Sequence, residues 1–478
     1  MILIVILLAI VSSFSILYAI RTYLAGDKLS TGDTFFHLLI VESIRKHQWK
    51  YPSSLQNVIF DYDIKPYNYL AYPHLFHYIV ALFPIRCYLT VAKILGLVIL
   101  SFLSSIPAVF VYGITSNSVL AILASFIATF NLSAFENTVA FNPRSLGLLL
   151  YSLVVYIAVL CPENLFSILA IAFIIMLINL AHKFATQVVI LGLLPYVFIF
   201  GRLYYLSSIA LGFLLSIFLS RGFYLKILKE HYCWLYYYSL YPKENRVTSR
   251  LISIFSRNCW YLLIIASMIY FFIFKNEGIL YDNLMGKASF WAFIPVLIAL
   301  LVSIPRLSFL GEDYRYVQYS VAPVGIVSSL YMESSPVYVW VIFLACVSMS
   351  FFALFKLKRY LQHSNDLVNP GDVSSYHFLR NYNPSYLLVF PHIRTLEVNY
   401  FADLNVVHLV RPKSPWTSEH IENLLNKYGI QFVLKFKGDS HIFEKLKDTV
   451  HINKTLTFTN FEVYKLTPKN PTILKNRT

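Results

Sequence analysis

Apolar runs long enough to cross a membrane recur from the first residue of this 478-residue chain to about residue 355. Hydrophobic residues make up 58% of the sequence and charged residues 13%, which is more apolar side chain than one soluble core can bury. Roughly 17 apolar residues in a helix span a hydrocarbon layer. Because backbone inside lipid must satisfy its own hydrogen bonds, these runs are predicted to be helices. The chain is therefore predicted to be an α-helical polytopic membrane bundle.

The apolar runs predict eleven spans. The first run lacks the charged start and the cleavage site of a secretory signal peptide, so it is interpreted as a span. The run from His74 to Phe83 is too short to cross and is predicted to lie at the interface. The predicted spans cover residues 2–20, 91–113, 118–132, 144–161, 164–181, 184–200, 203–220, 259–275, 289–303, 316–332 and 336–355.

An odd number of crossings puts the two chain ends on opposite sides of the membrane. The tail after Lys356 then shares a side with the large first loop, about residues 21–90. Parity places most polar candidates on this same side, whereas the other side holds only short links. Those candidates are Asp33, Asp61, Asp63, Glu136, His182, Lys183, Glu312, Asp313 and Arg315.

The tail differs in composition from the bundle. Apolar runs shrink to strand length, as in 386–390, 406–410 and 431–434, with a final pair of strands around Asn460. Thr417 or Ser418 can begin a helix that Gly429 ends, and another helix is predicted over 440–448. The predicted domains are a membrane domain, 1–360, and a soluble α/β domain, 361–478.

The formal net charge of +15 favours lipid headgroups and phosphates as partners over nucleic acid, because most of the chain is embedded. Arginine and lysine usually mark cytoplasmic loops, and here they are more frequent on the side that carries the tail, which by this rule would be cytoplasmic. Long loops and domains translocate largely regardless of charge, so the orientation stays open on this criterion.

Neither the cysteines nor the acidic pairs define a metal site. The five cysteines show no metal spacing, and buried thiols are favoured over a Cys233–Cys259 disulfide. Asp61-Tyr62-Asp63 has the form of a site for a divalent cation such as Mg²⁺ or Mn²⁺, although a solvated turn is the favoured interpretation. Metal dependence stays undecided.

Short motifs follow one another in a fixed order on the predicted polar side. They are Asp33 with His37, Tyr72-Pro73-His74-Leu75-Phe76-His77, Phe141-Asn142-Pro143-Arg144, His182-Lys183 and the stretch from Arg315 to Pro323. In this order they resemble the glycosyltransferase C superfamily, in particular its protein O-mannosyltransferase-like members of archaeal type. The acidic pair and the Trp-Trp-Asp motif of its oligosaccharyltransferase branch are absent. This argues against transfer of a whole oligosaccharide to asparagine.

The resemblance implies an enzyme that moves a sugar from a polyprenyl (dolichyl) phosphate to a lipid, glycan or protein acceptor on the external face. It implies that the tail is extracytoplasmic and that Asp33 is the general base. Cationic groups would hold the donor phosphate, and the implied set is Arg315, His182, Lys183 and Arg144. The implied substrate-binding residues are His37, Glu136, His74, His77, Tyr72 and Glu312.

Other interpretations stay open for single residues and for the whole chain. Asp33 can cap a helix that begins at Thr34, and Arg315 can pair with Glu312 or Asp313. Lys183 can be an end-of-helix residue that snorkels to the interface. The alternative functions are a polytopic transporter or lipid flippase, and a non-catalytic accessory subunit. A transporter is less favoured because its polar residues usually lie near the bilayer midplane.

Overall fold

The computed structural model describes residues 1–62, 70–240, 258–270, 284–333, 337–364, 367–368, 370–380, 386–390, 394–410, 423, 425–436, 446, 450–458 and 460–468. The helices up to the end of the bundle are α1 Ile2–Ala25, α2 Asp33–Lys46, α3 Leu75–Ala81, α4 Tyr88–Thr115, α5 Ser118–Thr129, α6 Leu132–Val139, α7 Arg144–Leu160, α8 Leu165–Ala181, α9 Lys183–Ile199, α10 Tyr205–Leu219, α11 Phe223–Leu240, α12 Trp260–Tyr270, α13 Leu284–Val302, α14 Asp313–Val317, α15 Val321–Glu333 and α16 Val337–His363. Strand β1 Val58–Tyr62 lies in the first loop, and the tail holds α17 Pro370–Arg380, β2 Leu387–Phe390, α18 Thr395–Ala402, β3 Val406–Val410, β4 Phe432–Phe436, β5 Val450–Thr457 and β6 Phe461–Pro468.

Helices occupy all eleven predicted spans over the described residues. Four of them are long and apolar enough to cross a membrane alone, namely Ile2–Ala25, Ile85–Thr115, Leu284–Val302 and Val339–Gln362. The pairs α5–α6 and α10–α11, bent by 59° and 116°, raise this number to six if each pair is one span. Helices α7, α8 and α9 are apolar but shorter. The chain is thus a multi-pass membrane protein, and the number eleven stays a prediction.

The chain divides into two compact units. The bundle unit comprises Met1–Asp27, Ala71–Ile79 and Leu89–His363, and the sheet unit comprises Lys28–Leu70, Val80–Tyr88 and Ser364–Thr478. A single cut near residue 360 does not describe this division, because most of the first loop belongs with the tail. The reason is a strand pairing that local sequence cannot reveal.

Small residues let the helices of the bundle unit approach closely. A Cβ on Gly212 of α10 would lie 2.9 Å from the Ala172 carbonyl oxygen of α8, and one on Gly325 of α15 would lie 2.7 Å from the Ala124 carbonyl oxygen of α5. Close approach of this kind holds helices together where lipid supplies no hydrophobic driving force. Polar contacts add to it, since the Trp260 indole donates to the Phe130 carbonyl oxygen at 2.8 Å.

The sheet unit is built on a six-stranded mixed sheet in the order β1-β3-β2-β4-β6-β5. The tail strands were predicted near their observed positions. Residues 425–428 are helical, and Gly429 follows with a φ of 61°, as a helix-ending glycine requires. Thr417, Ser418 and all of the predicted helix 440–448 except Leu446 lie outside the described residues.

Strand β1 from the first loop pairs in parallel with β3 of the tail, with Val58 opposite Val406. Asp61 fixes this strand, because its buried Oδ1 accepts hydrogen bonds from Lys427 Nζ at 2.8 Å and Tyr428 Oη at 2.6 Å. Helix α2 is also held by the tail, since the Phe35 ring lies 5.5 Å from the Tyr400 ring. Loop and tail therefore lie on one side of the membrane, as parity predicts.

Candidate functional site

Three cationic residues of the bundle unit stand at or just before the first turns of helices. Arg144 is the first residue of α7, Lys183 is the first of α9, and Arg315 lies in the one-turn helix α14. The amides at a helix start carry partial positive charge, so cations there repel the helix dipole unless an anion lies between them. For two of these cations an acid of the chain lies near, because Glu312 pairs with Arg315 and Glu230 lies within electrostatic range of Lys183.

Arg144 has unused hydrogen-bonding capacity. Its Nε atom is buried and has no hydrogen-bond partner among the described residues. Asn142 Oδ1 accepts from the Arg144 amide at 3.0 Å, which holds the start of α7. The guanidinium also lies within electrostatic range of Tyr319. A buried guanidinium nitrogen without an acceptor is costly, and a phosphate oxygen is an acceptor that would satisfy it.

His182 and Lys183 are the next residues of the predicted phosphate-binding set, and together with Arg144 they are called the cluster below. The buried His182 ring caps α9, because its Nδ1 accepts from the Ala185 amide at 3.2 Å. The ring proton is therefore assigned to Nε2. Tyr319 Oη lies 3.5 Å from the same Nδ1. The Lys183 ammonium lies 5.3 Å from the centre of the Tyr72 ring and within electrostatic range of Glu230. The structure thus brings together Tyr72, His182 and Lys183.

His74 and His77 flank this cluster in and just before α3. The His77 ring is buried and contacts Tyr72 edge-on, with the ring centres 6.0 Å apart. The His74 ring is half-buried between Tyr78 and Phe223. Burial lowers the pKa of His74 to about 4, so its imidazole is neutral near pH 7.

Arg315 makes the local ion pair that the sequence left open. Its Nε donates to Glu312 Oε2 at 2.8 Å, and both side chains are about one-third exposed. Glu136 lies near the same segment, because it accepts from Gln318 Nε2 at 3.3 Å. The structure therefore places Glu136 beside the segment after Arg315. Whether Arg315 also holds a phosphate stays a prediction.

Asp33 and His37 belong to the sheet unit. Asp33 is the first residue of α2 and is exposed, whereas His37, one turn later, is buried against Phe36. The interpretation of Asp33 as the cap residue is wrong, since the helix begins at Asp33 and Gly32 is its cap residue. Gly32 has a φ of 66°, which glycine adopts without strain. The Asp33 carboxylate is thus accessible.

No group of three or more His, Cys, Asp or Glu side chains among the described residues could hold a metal ion. Asp61 is engaged with Lys427 and Tyr428, and Asp63 lies outside the described residues. The five cysteines are free thiols. The predicted buried-thiol state is therefore confirmed for Cys259 and Cys346, whereas Cys87, Cys161 and Cys233 are partly exposed.

Comparison with solved structures gives matches along nearly the whole chain. ArnT from Cupriavidus metallidurans, solved with undecaprenyl phosphate, aligns with a TM-score of 0.59 at 9% identity, covering 96% of this chain and 97% of ArnT. The oligosaccharyltransferase AglB from Archaeoglobus fulgidus, solved with an inhibitory peptide and a dolichol-phosphate, aligns with a TM-score of 0.54 at 11% identity, covering 96% and 74%. The chain has the glycosyltransferase C fold.

A third protein with this fold, the mycobacterial arabinofuranosyltransferase AftD, aligns with a TM-score of 0.54 at 10% identity. This chain covers 40% of AftD, and the alignment spans 96% of this chain. No family model and no curated protein matches the sequence. The resemblance drawn from short motifs is therefore confirmed as a glycosyltransferase C fold.

Several polar residues of this glycosyltransferase C fold were not predicted as site residues. Glu230 is buried and lies within electrostatic range of Lys183, and Tyr319 lies within range of both Arg144 and Tyr72. Glu230 is the single acid of helix α11 and stands among many apolar and aromatic residues, which is a sequence signal that could have identified it. Tyr319 lies inside the motif from Arg315 to Pro323, which is the sequence signal that could have identified it.

Proposed function

We propose that this chain is a membrane glycosyltransferase that moves a sugar from a polyprenyl phosphate donor to a lipid, glycan or protein acceptor. The observation that carries the proposal is Arg144, a guanidinium with a buried and unsatisfied Nε at a helix start, in a chain with the glycosyltransferase C fold. Two solved neighbours were determined with undecaprenyl phosphate and with dolichol-phosphate. A lipid-linked phosphate is the anion that agrees both with the unsatisfied Arg144 Nε and with the ligands of these two neighbours.

In the proposed mechanism, the cluster of the bundle unit holds the donor phosphate. Arg144 donates from its guanidinium, and the charge of Lys183 opposes the negative charge that grows on the phosphate as the sugar leaves. His182 donates from Nε2, because its Nδ1 is occupied by the cap bond. The Tyr72 ring beneath Lys183 limits where that ammonium can lie. These groups act most strongly in the transition state.

Asp33 is proposed as the general base that takes a proton from the acceptor hydroxyl. Its exposure supports this role, since a base must reach the group that it deprotonates. His37 and His77 are buried, so we assign them positioning roles rather than substrate contact. Glu136, Glu312, His74 and Tyr72 remain proposed substrate-binding residues. Arg315 is proposed as a second phosphate contact in addition to its pair with Glu312.

The tail and the first loop are proposed to be extracytoplasmic. Their shared sheet supports a common side, and long loops translocate largely regardless of their charge. The side on which Asp33 lies would then be the side on which the acceptor is met. Membrane lipids would surround the bundle unit.

A transfer assay tests the proposal. Purified protein is incubated with a panel of radiolabelled polyprenyl-phosphate sugars and with lipid, glycan and peptide acceptors. We expect product with at least one donor, and loss of that product in Arg144→Ala and Asp33→Asn, with Asp27→Asn as a control because Asp27 is an exposed acid outside the cluster. Binding of each donor is measured separately. Protein that is folded but neither binds nor consumes any donor would contradict the proposal.

A further inference from the structure

Helix α11 has one buried face and one exposed face. Its buried side chains include Tyr224, Ile227 and Glu230, and the first two pack with Met176 and Leu180 of α8. The opposite face follows a helical spacing and is exposed. It carries Leu225, Lys226, Lys229, Tyr232 and Tyr236.

This helix turns sharply away from an apolar one. The axes of α10 and the described part of α11 up to Tyr236 differ by 116°. Arg221 and Gly222, with φ angles of 50° and 81°, make the bend. If α10 runs across the bilayer, α11 runs close to the plane of the membrane surface. Because the buried face of α11 packs on α8, the exposed face with Lys226 and Lys229 is the one that could then meet lipid headgroups.

The exposed surface changes in chemistry at the bend. Before it, Leu214, Phe218 and Leu219 of α10 are 56–79% exposed and wholly apolar. After it come the exposed cations Arg221, Lys226 and Lys229, with Tyr232 next to them. Tyrosine and lysine are the residues typical of the headgroup level, whereas leucine and phenylalanine face the hydrocarbon. If α10 crosses the bilayer, the boundary between hydrocarbon and headgroups would fall near residues 219–221.

We propose that the exposed face of α11 is a docking surface for anionic lipid headgroups of the surrounding bilayer. Among the described residues, neither Lys226 nor Lys229 forms an ion pair, so both charges can meet lipid phosphates. Tyr232 and Tyr236 are exposed on the same face, and tyrosine is typical of the headgroup level. This surface is separate from the residues proposed to hold the donor phosphate, because Lys183 lies near Glu230, which is on the buried face of α11. The inference does not depend on the proposed transfer reaction.

Lipid retention measured by native mass spectrometry tests this surface. Detergent-purified full-length protein is incubated with an equimolar mixture of phosphatidylglycerol and phosphatidylcholine. We expect wild-type protein to retain phosphatidylglycerol preferentially, and K226Q with K229Q together to reduce that preference about fivefold or more. The double variant K226R with K229R should keep it, because both charges are kept. Lys435→Gln with Lys465→Gln, the same charge change in the sheet unit, serves as the matched control.

Three results would overturn the proposal. The first is a wild-type protein without preference for phosphatidylglycerol, and the second is a glutamine double variant that retains the wild-type preference. The third is displacement of phosphatidylglycerol by millimolar inorganic phosphate, which would identify the surface as a site for free phosphate. A glutamine variant that fails to fold leaves the arginine variant and the wild-type comparison to decide.

Discussion

Two arginines show how differently the two units use charge. Arg394 of the sheet unit is 1% exposed, and its Nε and Nη2 donate to Glu397 and Asp372 at 2.7–3.0 Å. Arg144 of the bundle unit has a buried Nε with no hydrogen-bond partner among the described residues. One guanidinium lies in a closed network, and the other keeps capacity for a ligand. The two arginines thus differ in whether groups of the described chain already satisfy the guanidinium.

The network around Arg394 links helices α17 and α18 and the residue before strand β6. Tyr376 Oη donates to Glu397 Oε1 at 2.6 Å, and Asn460 Nδ2 donates to Asp372 Oδ1 at 2.7 Å. The guanidinium carbon lies 3.8 Å from the centre of the Phe436 ring. Burial raises the pKa of Glu397, although the attraction of Arg394 opposes this effect. Each charge is compensated, so the network has a structural role.

The largest expected effect tests whether Asp33, an exposed carboxylate of the sheet unit, acts as the general base. Asp33→Asn removes the exposed carboxylate but keeps the side-chain size, so transfer should fall roughly 10²- to 10⁴-fold while the protein stays folded. Initial rates at saturating donor measure this change. The control is Asp27→Asn. Near-normal turnover of the Asp33 variant would exclude it as the base.

The closed network should respond in stability. Arg394→Ala leaves two buried carboxylates without their cation, and we expect the free energy of unfolding of the sheet unit to fall by about 3 to 5 kcal/mol. Hydrogen exchange across β4 and β6 measures it. Arg144→Ala is the comparison and should change this protection little. Equal losses in both variants would remove the distinction between the two arginines.

The open arginine should respond in function. Arg144→Ala should weaken binding of the polyprenyl-phosphate sugar and its transfer roughly 10- to 100-fold, because the guanidinium that hydrogen-bonds to a charged phosphate oxygen is lost. The melting temperature should change little. Arg144→Lys should fall in between, since it keeps the charge without the planar contact. A lowered melting temperature with unchanged donor binding would make Arg144 structural.

A smaller effect depends on pH. The folded pKa of His74 is about 4, below the ordinary 6.5, so the unfolded chain binds a proton that the folded chain does not. Stability is therefore lost as the pH falls below 6.5, by about 2 kcal/mol at pH 5 from this group. Melting at pH 7 and pH 5 should show a smaller acid loss in His74→Phe than in wild type. Equal acid losses in wild type and in His74→Phe would contradict this role of His74.

The smallest effect concerns the strand that joins loop to tail. Asp61→Asn keeps an acceptor for Tyr428 but removes the charge that attracts Lys427, which should weaken β1 by about 1 to 2 kcal/mol. Faster hydrogen exchange in Val58–Tyr62 measures this. Glu462→Gln, which removes a carboxylate paired with Lys454 at the far side of the same sheet, is the control. Unchanged exchange in β1 would mean that the backbone pairing alone holds the strand.

The sequence by itself determined the elements whose signals are local. Continuous apolar runs produced helices because backbone in lipid has no other way to satisfy its hydrogen bonds. Short β-branched and aromatic runs produced β2, β3 and β4, and Gly429 ended a helix because it adopts a positive φ without strain. The order of the polar motifs predicted the fold. Of the predicted phosphate-binding set Arg315, His182, Lys183 and Arg144, the structure places Arg144 and Lys183 as first residues of helices and His182 as a helix cap.

Only the tertiary structure decided the features that depend on distant partners. Strand β1 pairs with β3, which lies more than 300 residues later in the chain, and neither strand's sequence predicts the pairing. The sequence left open whether Arg315 pairs with Glu312, and it could not show that Arg144 keeps an unsatisfied nitrogen among the described residues. The bend at Arg221 and Gly222, which turns α11 away from α10, is likewise a feature of the folded chain. Hydropathy is a property of neighbouring residues, but strand pairing and the completion of a hydrogen-bond network depend on groups that only folding brings together.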